Sequence, residues 1–459
     1  MAIPPGPRAP ATVQSVQFLR DPEGFLTRCH RRYGDVFAVR LLGGEQAVYV
    51  TEPGLIREAF ATDRGDGLAG AARARVLEPL VGTRSLLTLD GPAWERQRKL
   101  LGPAFHGENI ERYADEIRQI AIAEIASWPG SGELELRPRM QAITLEVILR
   151  VIFGVREGER LERLRELLPR LIEAAGQMMW APPWFHRLLE RAVRRGGLVG
   201  RLADARGFFA LRDKVDALIQ EEVSARRADP ELEERSDVLS WLVRAQDERG
   251  EGLSDAELRD ELVGLLEAGH ETTATALAWA FERLLRTPRA LEALTEELER
   301  GDRDGYLQAV VRETLRTRPV LFDVARVMER PVEIGGYEVP AGWYLAPGIV
   351  NVQRREAEWP EPEEFRPERF LEDDPPYHAW IPFGGGRRRC VGAQLAQLEM
   401  MVVIPEVLRH RRLRAPSPDP EATKLRHITL VPSRGGRVVI DGVAEASREH
   451  GARQPAGAR

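Results

Sequence analysis

The sequence predicts a mainly α-helical protein with a small β-rich region, and three observations carry that reading. Strand-like alternation at residues 36–41 and 47–51 gives way to apolar residues at helical spacing up to about residue 318. Short strand-like segments return at 332–334, 343–346, 428–431 and 438–440, so the sheet must be assembled from distant parts of the chain. Finally, 43% of the 459 residues are hydrophobic, ample for a sizeable core. Length alone suggests about three domains. The residues with chemical potential, however, are scattered from 94 to 392 and must meet at one site. A single domain over 1–459 follows, with a core of about 5–440 and a polar, frayed tail from 441.

Each element has a local reason. Residues 1–10 are proline-rich, and neither an apolar stretch of about 20 nor a signal-peptide pattern occurs in the first forty. That predicts a cytoplasmic chain without a transmembrane anchor. Residues 145–153 are apolar but interrupted by Glu146 and Arg150, as in a buried helix. Residues 178–185, M-M-W-A-P-P-W-F, form an aromatic, loop-like patch open to three readings: an entrance lid, a shallow membrane contact, or packing on its own helices.

Ser254, with Glu257 three residues on, makes a capping box at the head of the most apolar long helix candidate, 254–286. Its middle is apolar on nearly every face, so it must be central and buried. Inside it, Ala268-Gly269-His270-Glu271-Thr272-Thr273 breaks the pattern. Glycine costs about 1 kcal/mol against alanine in a helix interior. A threonine hydroxyl can bond a carbonyl one turn earlier and open the helix there. His270 reads as a packed or hydrogen-bonded side chain.

Leu307, Val310, Val311 and Leu315 set a further helix that Pro319 ends, with Glu313 and Arg316 three apart on its polar side. Residues 359–376 are proline-rich and irregular, whereas 393–408 meet no breaker before Pro405 and read as a helix.

A net charge of -6 argues against nucleic acid as a partner. Two cysteines, Cys29 and Cys390, cannot build a disulfide framework and fit a reducing compartment. Cys390 sits in F-G-G-G-R-R-R-C-V-G, residues 383–392, between glycines at the entrance to a helix. A thiolate there can be an axial iron ligand, and Gly386 and Gly392 would let a flat macrocycle lie against bare backbone. The helix N-terminus would lower the thiolate's basicity. A phosphate loop would want lysine and Ser or Thr after its glycines, and a zinc site would want more cysteines or histidines nearby. A basic Gly-Arg loop on a nucleic-acid surface is the plain alternative.

Phe383, Gly386, Arg388, Cys390 and Gly392 fall without a gap on F-x-x-G-x-R-x-C-x-G, and here the chain resembles the cytochrome P-450 superfamily of haem-thiolate monooxygenases. The resemblance covers roughly residues 5–440 and implies that family's fold, haem b (iron protoporphyrin IX) as cofactor, and Cys390 as the metal ligand. It implies a dioxygen groove at Ala268 and Gly269, with Glu271 and Thr272 as an acid–alcohol proton relay. Glu313 and Arg316 match E-x-x-R, with Arg369 as the implied partner. Trp94 and Arg98 match the W-x-x-x-R helix and Arg326 a strand arginine; with Arg388 they would hold the haem propionates. One departure is Gln353-Arg354, where many relatives carry histidine.

The implied activity is insertion of one atom of O2 into an apolar substrate such as a fatty acid, terpenoid or steroid-like compound. Val76, Leu77, Leu80, Val81, Leu86, Leu265, Ala268 and residues 320–322 would roof its pocket. Electrons would come from a ferredoxin or flavodoxin-type donor with its NAD(P)H reductase, docking on Arg387, Arg389, Arg96 and Lys99. The resemblance is to the soluble bacterial type, expected to be a monomer. A peroxide-driven peroxygenase on the same fold and a non-catalytic haem carrier or sensor are the alternatives.

Overall fold

Helices dominate the computed structural model, which describes residues 2–41, 44–178, 183–195, 204, 207–301, 305–372 and 374–444. The longer ones up to the middle of the chain are α1 (Ala11–Arg20), α2 (Pro22–Tyr33), α3 (Pro53–Ala61), α4 (Ala69–Val81), α5 (Gly91–Leu101), α6 (Ala114–Ala126), α7 (Leu136–Val147) and α8 (Glu159–Met178). They continue as α9 (Pro183–Arg195), α10 (Phe208–Arg227), α11 (Val238–Arg244), α12 (Asp255–Leu284), α13 (Pro288–Arg300), α14 (Gly305–Thr317) and α15 (Ala393–His410).

The predicted strands appear within one or two residues of their expected bounds, except that the one expected at 438–440 runs on to Val443, where Gly442 and Val443 pair with Arg412 and Arg411 inside the expected frayed tail. Five strands form one sheet in the order β1-β2-β8-β5-β3: β1 (Val36–Arg40), β2 (Gln46–Val50), β3 (Gly67–Leu68), β5 (Arg326–Met328) and β8 (Tyr344–Pro347). β2 and β8 pair in parallel with Ala47 opposite Tyr344, so the sheet joins the N-terminal third of the chain to its C-terminal third. β4 (Gly132–Glu135), β9 (Arg411–Arg414) and β12 (Arg437–Val443) make a second sheet, while β6 (Val332–Ile334) with β7 (Tyr337–Val339) and β10 (Thr423–Arg426) with β11 (Thr429–Pro432) are hairpins.

The central element is α12, 30 residues and therefore about 45 Å long. Its capping box is formed: Ser254 Oγ accepts from the Glu257 N–H, and the Glu257 carboxylate accepts from the Ser254 N–H at 2.8 Å. The apolar stretch 145–153 is the end of α7 plus a π-turn at Ile148–Ile152, a widened helix segment packed on α12. α12 is buried on nearly every side, yet Ala268 is exposed and Leu265, Glu267, Gly269 and Thr272 are half-buried. Mid-helix, α12 therefore faces an interior hollow. The aromatic patch at 178–185 falls largely outside the described residues. No described helix is long and apolar enough to cross a membrane.

A closed ionic network braces the irregular stretch before Cys390. Glu313 and Arg316 are fully buried and pair through both carboxylate oxygens at 2.7 and 2.8 Å. Arg369 adds a bond to Glu313 at 3.2 Å, and Arg316 donates to the carbonyls of Gln353 and Glu364. Arg369 donates in turn to those of Pro360 and Glu361. Gln353 donates to the carbonyls of Leu315 and Arg316 and accepts from the Ile381 N–H at 3.1 Å. Its amide thus ties the end of α14 to the segment that runs into the cysteine loop.

Candidate functional site

The loop closes on itself, with the Cys390 N–H donating to the Phe383 carbonyl at 3.0 Å. Two of its glycines have left-handed φ, Gly384 at +66° and Gly386 at +63°, which L side chains rarely adopt. A Cβ on Gly385 would stand 2.3 Å from the Phe60 ring, and one on Gly386 would meet Asp63 and Phe60. These glycines let the loop seat on α3. Gly392 is different: a Cβ there would meet nothing within 4 Å, so its backbone borders open space beside Cys390. Phe383 packs edge-on against Trp380 and anchors the loop in the main core.

Cys390 is accessible, yet burial is the largest influence on its thiol and raises its pKa. Both facts hold for a side chain on the wall of an interior hollow, enclosed by protein but facing space. The Gly392 N–H and the charges of Arg98, Arg73 and Arg389 pull the other way and favour the thiolate.

Five guanidiniums gather here: Arg73, Arg98 and Arg389 act on the thiol itself, and Arg326 and Arg388 act on Arg73. Arg326, 1% exposed, forms a bidentate pair with Asp63 at 2.9 and 3.1 Å, donates to the Val324 carbonyl and lies over the Phe60 ring. Arg388 pairs with Asp90, donates to the Leu89 carbonyl at 2.8 Å and stacks 4.1 Å from the Trp94 ring centroid. Asp90 also accepts from the N–H groups of Gly70 and Ala71, which seats the start of α4 beside the loop.

Arg73 and Arg98 have no carboxylate partner among the described residues. Burial pushes the Arg73 pKa down to about 10, with repulsion from Arg326 and Arg388 acting in the same direction. Arg98 is likewise lowered by burial, with Cys390 opposing. Two cations thus remain over beside a thiol that faces a hollow. Bringing unpaired charges together in a low-dielectric interior is costly unless a ligand neutralises them. A flat metal macrocycle with two carboxylates fits this donor set: a soft sulfur for the metal, two free guanidiniums for the carboxylates, and bare backbone at Gly392.

Ala268 and Thr272 lie one helical turn apart on the face of α12 that borders the hollow. The Thr272 hydroxyl donates to the Ala268 carbonyl one turn earlier, at 2.5 Å. Gly269 meets Ile148 of the π-turn at 3.5 Å from its would-be Cβ. Glu271 is 5% exposed and turns toward α7, where it pairs with Arg137 and accepts from Gln141 at 2.6 Å. His270 faces α7 as well, against the Thr144 hydroxyl, and burial holds its pKa down at about 4. No cluster of three or more His, Cys, Asp or Glu suited to a metal ion occurs among the described residues.

Of the expected roof, Leu77, Leu80, Val81 and Leu86 are buried in the main core, while Val76, Leu265 and Val320 border it. The expected basic face is largely neutralised. Arg387 pairs with Glu95, Lys99 with Glu248, and Arg96 with Asp247 and Glu257, which leaves Arg389 exposed and without a carboxylate partner among the described residues.

Sequence reasoning missed Arg73, Arg137 and Glu267. The one local signal for Arg73 is an arginine set among alanines in A-A-R-A-R, ahead of the Trp94 helix.

A family model described as cytochrome P-450 matches residues 4–439. The chain is 41% identical over 455 residues to a protein named as cytochrome P-450 135B1 of Mycobacterium tuberculosis, covering 97% of this chain and 93% of that one. With 135A1 of the same organism it shares 36% over 438 residues, 95% and 94% of the two chains. Among solved structures, the retinoic acid-bound cyanobacterial CYP120A1 superposes with a TM-score of 0.79 at 22% identity, covering 96% of this chain and 100% of that one. The heme domain of cytochrome P-450DA gives 0.80 at 24%, covering 96% and 98%. At those identities the likeness is one of fold.

Proposed function

The chain belongs to the cytochrome P-450 family, whose members bind haem through a cysteine thiolate, and from that premise we propose that it inserts one oxygen atom from O2 into an apolar organic substrate. One observation carries the reading: an accessible thiol on the wall of a hollow, flanked by two guanidiniums without carboxylate partners among the described residues, in a protein whose central helix lends the hollow a threonine and an exposed alanine.

When bound, the haem supplies the reduction of O2 and the transfer of one of its atoms. The chain supplies the setting. Cys390 is held by the closed loop, and the Gly392 N–H and nearby arginines favour its ionised form. Arg73 and Arg98 would hold the propionates, beside the Arg388–Asp90 and Arg326–Asp63 pairs. Trp94 supports Arg388 from below its guanidinium.

Thr272, already donating to Ala268, offers its oxygen as an acceptor and so orders a water or passes on a proton. Glu271 is tied to Arg137 and Gln141, so delivering a proton toward Thr272 requires its side chain to swing away from α7. An acid and an alcohol on consecutive residues favour O2 over peroxide as oxidant. Electrons come from a separate ferredoxin or flavodoxin-type protein, for which Arg389 is the free cation of the expected face.

The test is isotopic. With reductant, a redox partner and a panel of apolar compounds under 18O2, we expect a product carrying one 18O atom, the other appearing in water. A product labelled only from water, or O2 uptake with no organic product across the panel, would overturn the assignment.

A further inference from the structure

The carboxylates of α12 are partnered, with one exception. Asp260 accepts from the Arg84 N–H and pairs with Arg259, Glu261 accepts from the Leu86 N–H at 2.7 Å, and Glu271 has Arg137 and Gln141. Glu267, one turn before Glu271 and next to Ala268, has no hydrogen bond and no ion pair among the described residues. Its Oε2 is closed off from water with nothing to accept from. Buried carboxylates are almost always paired, so an orphan calls for a partner that is not part of the chain.

The place of Glu267 in the helix says where that partner comes from. Residues 265, 267, 268, 269 and 272 are the accessible or half-buried positions in the middle of an otherwise buried helix. Glu267 stands about 100° round the helix from Ala268 and borders the accessible stretch at its edge, away from Leu265 and Thr272.

Resting on the function proposed above, we propose that Glu267 is the substrate-selecting group of this pocket, and that the substrate carries a protonated nitrogen on an otherwise apolar body. Among the described residues the charged group acting on Glu267 is Glu271, an acid already paired with Arg137, and no cation acts on Glu267 itself. A substrate carboxylate would be repelled there, whereas an ammonium group would supply both the missing donor and the missing charge. Burial pushes the Glu267 pKa up to about 7, so the side chain is poised to ionise when a cation arrives. This narrows the substrate class away from fatty acids and toward amines such as alkaloid-like or amino-terpenoid compounds.

The experiment uses the haem-loaded protein and three probes of one chain length: N,N-dimethyldodecylamine, dodecan-1-ol and dodecanoate. Dissociation constants are measured by calorimetry near pH 8, where Glu267 is mostly ionised. The wild type is expected to bind the amine at least about tenfold tighter than the alcohol, and the carboxylate most weakly. Glu267→Gln is expected to lose that tenfold preference while alcohol binding stays within about twofold; Glu267→Asp, which keeps the charge, should recover part of it. An amine preference that survives in Glu267→Gln, a wild type that prefers dodecanoate, or a wild type that binds none of the three would overturn the inference. Haem content and the carbon-monoxide spectrum of the same samples separate the two levels. A thiolate-bound haem without amine preference ends this inference and leaves the proposed function, whereas absence of such haem ends both.

Discussion

Around Glu313 every member is bonded: two guanidiniums share one carboxylate, and further N–H groups of both end on four backbone carbonyls. Around Cys390 the pairing is incomplete: Arg326 and Arg388 are closed by aspartates, whereas Arg73 and Arg98 have no carboxylate partner among the described residues. Glu313, Arg316 and Arg369 are buried, whereas Arg73 and Arg98 are half-buried and Cys390 faces open space, so the two clusters differ in accessibility as well as in pairing. A closed network fixes chain segments relative to one another. An open one stores unpaired charge that only a ligand relieves, and so marks where the ligand sits.

The contrast is sharpest under mutation. Glu313→Gln removes the one anion between Arg316 and Arg369 and should cost about 3–5 kcal/mol of stability, read from urea denaturation. A loss under about 1 kcal/mol would mean that the network is no brace. Removing a cation from the open cluster should act with opposite signs on the two forms of the protein. Arg73→Leu, and more so Arg73→Leu with Arg98→Leu, is expected to stabilise the haem-free chain by relieving unpaired charge. The same changes should weaken haem retention by about tenfold or more per arginine, at roughly 1.5–3 kcal/mol for each charged hydrogen bond. Haem transfer to an acceptor protein measures this, and unchanged transfer rates would remove the two arginines from the site.

What the sequence made legible follows the same division. The Cys390 loop and the Glu313–Arg316 pair could be read because their members lie within a few residues and the spacing itself states the geometry. The capping box at Ser254 was legible for that reason too. Arg73 was not, because its role arises only where α4, α5, β5 and the cysteine loop converge. Arg137 lies 134 residues from Glu271, and no local pattern announces that the acid is turned toward α7. The basic face expected at Arg96, Lys99 and Arg387 failed as a free patch because each finds a carboxylate, of which Glu257, Asp247 and Glu248 are distant in sequence. Pairing between distant segments is what the order of residues does not display.

Two further tests carry the contrast onto α12, where Thr272 faces the hollow and Glu261 is locked into the frame. Thr272→Ala should keep haem but divert electrons to hydrogen peroxide, lowering product formed per electron pair by about tenfold or more. Product yield that stays matched to reductant consumption would exclude Thr272 from the relay.

Glu261 is read through pH. Burial raises its pKa to about 8, above the unfolded value, so between roughly pH 4.5 and 8 the folded state holds a proton that the unfolded state has released. Stability should therefore fall as pH rises through that window and level off above it. Glu261→Gln, which can still accept from Leu86, should flatten this part of the profile; an unchanged slope in denaturation midpoints would assign the effect elsewhere.

The most direct measurement is the absorption spectrum of the reduced, carbon-monoxide-treated protein beside its Cys390→Ser variant. The wild type should show the red-shifted Soret band of thiolate ligation, and the variant should lose it. A wild type without that band, or a variant that keeps it, would contradict the assignment of Cys390 as the metal ligand.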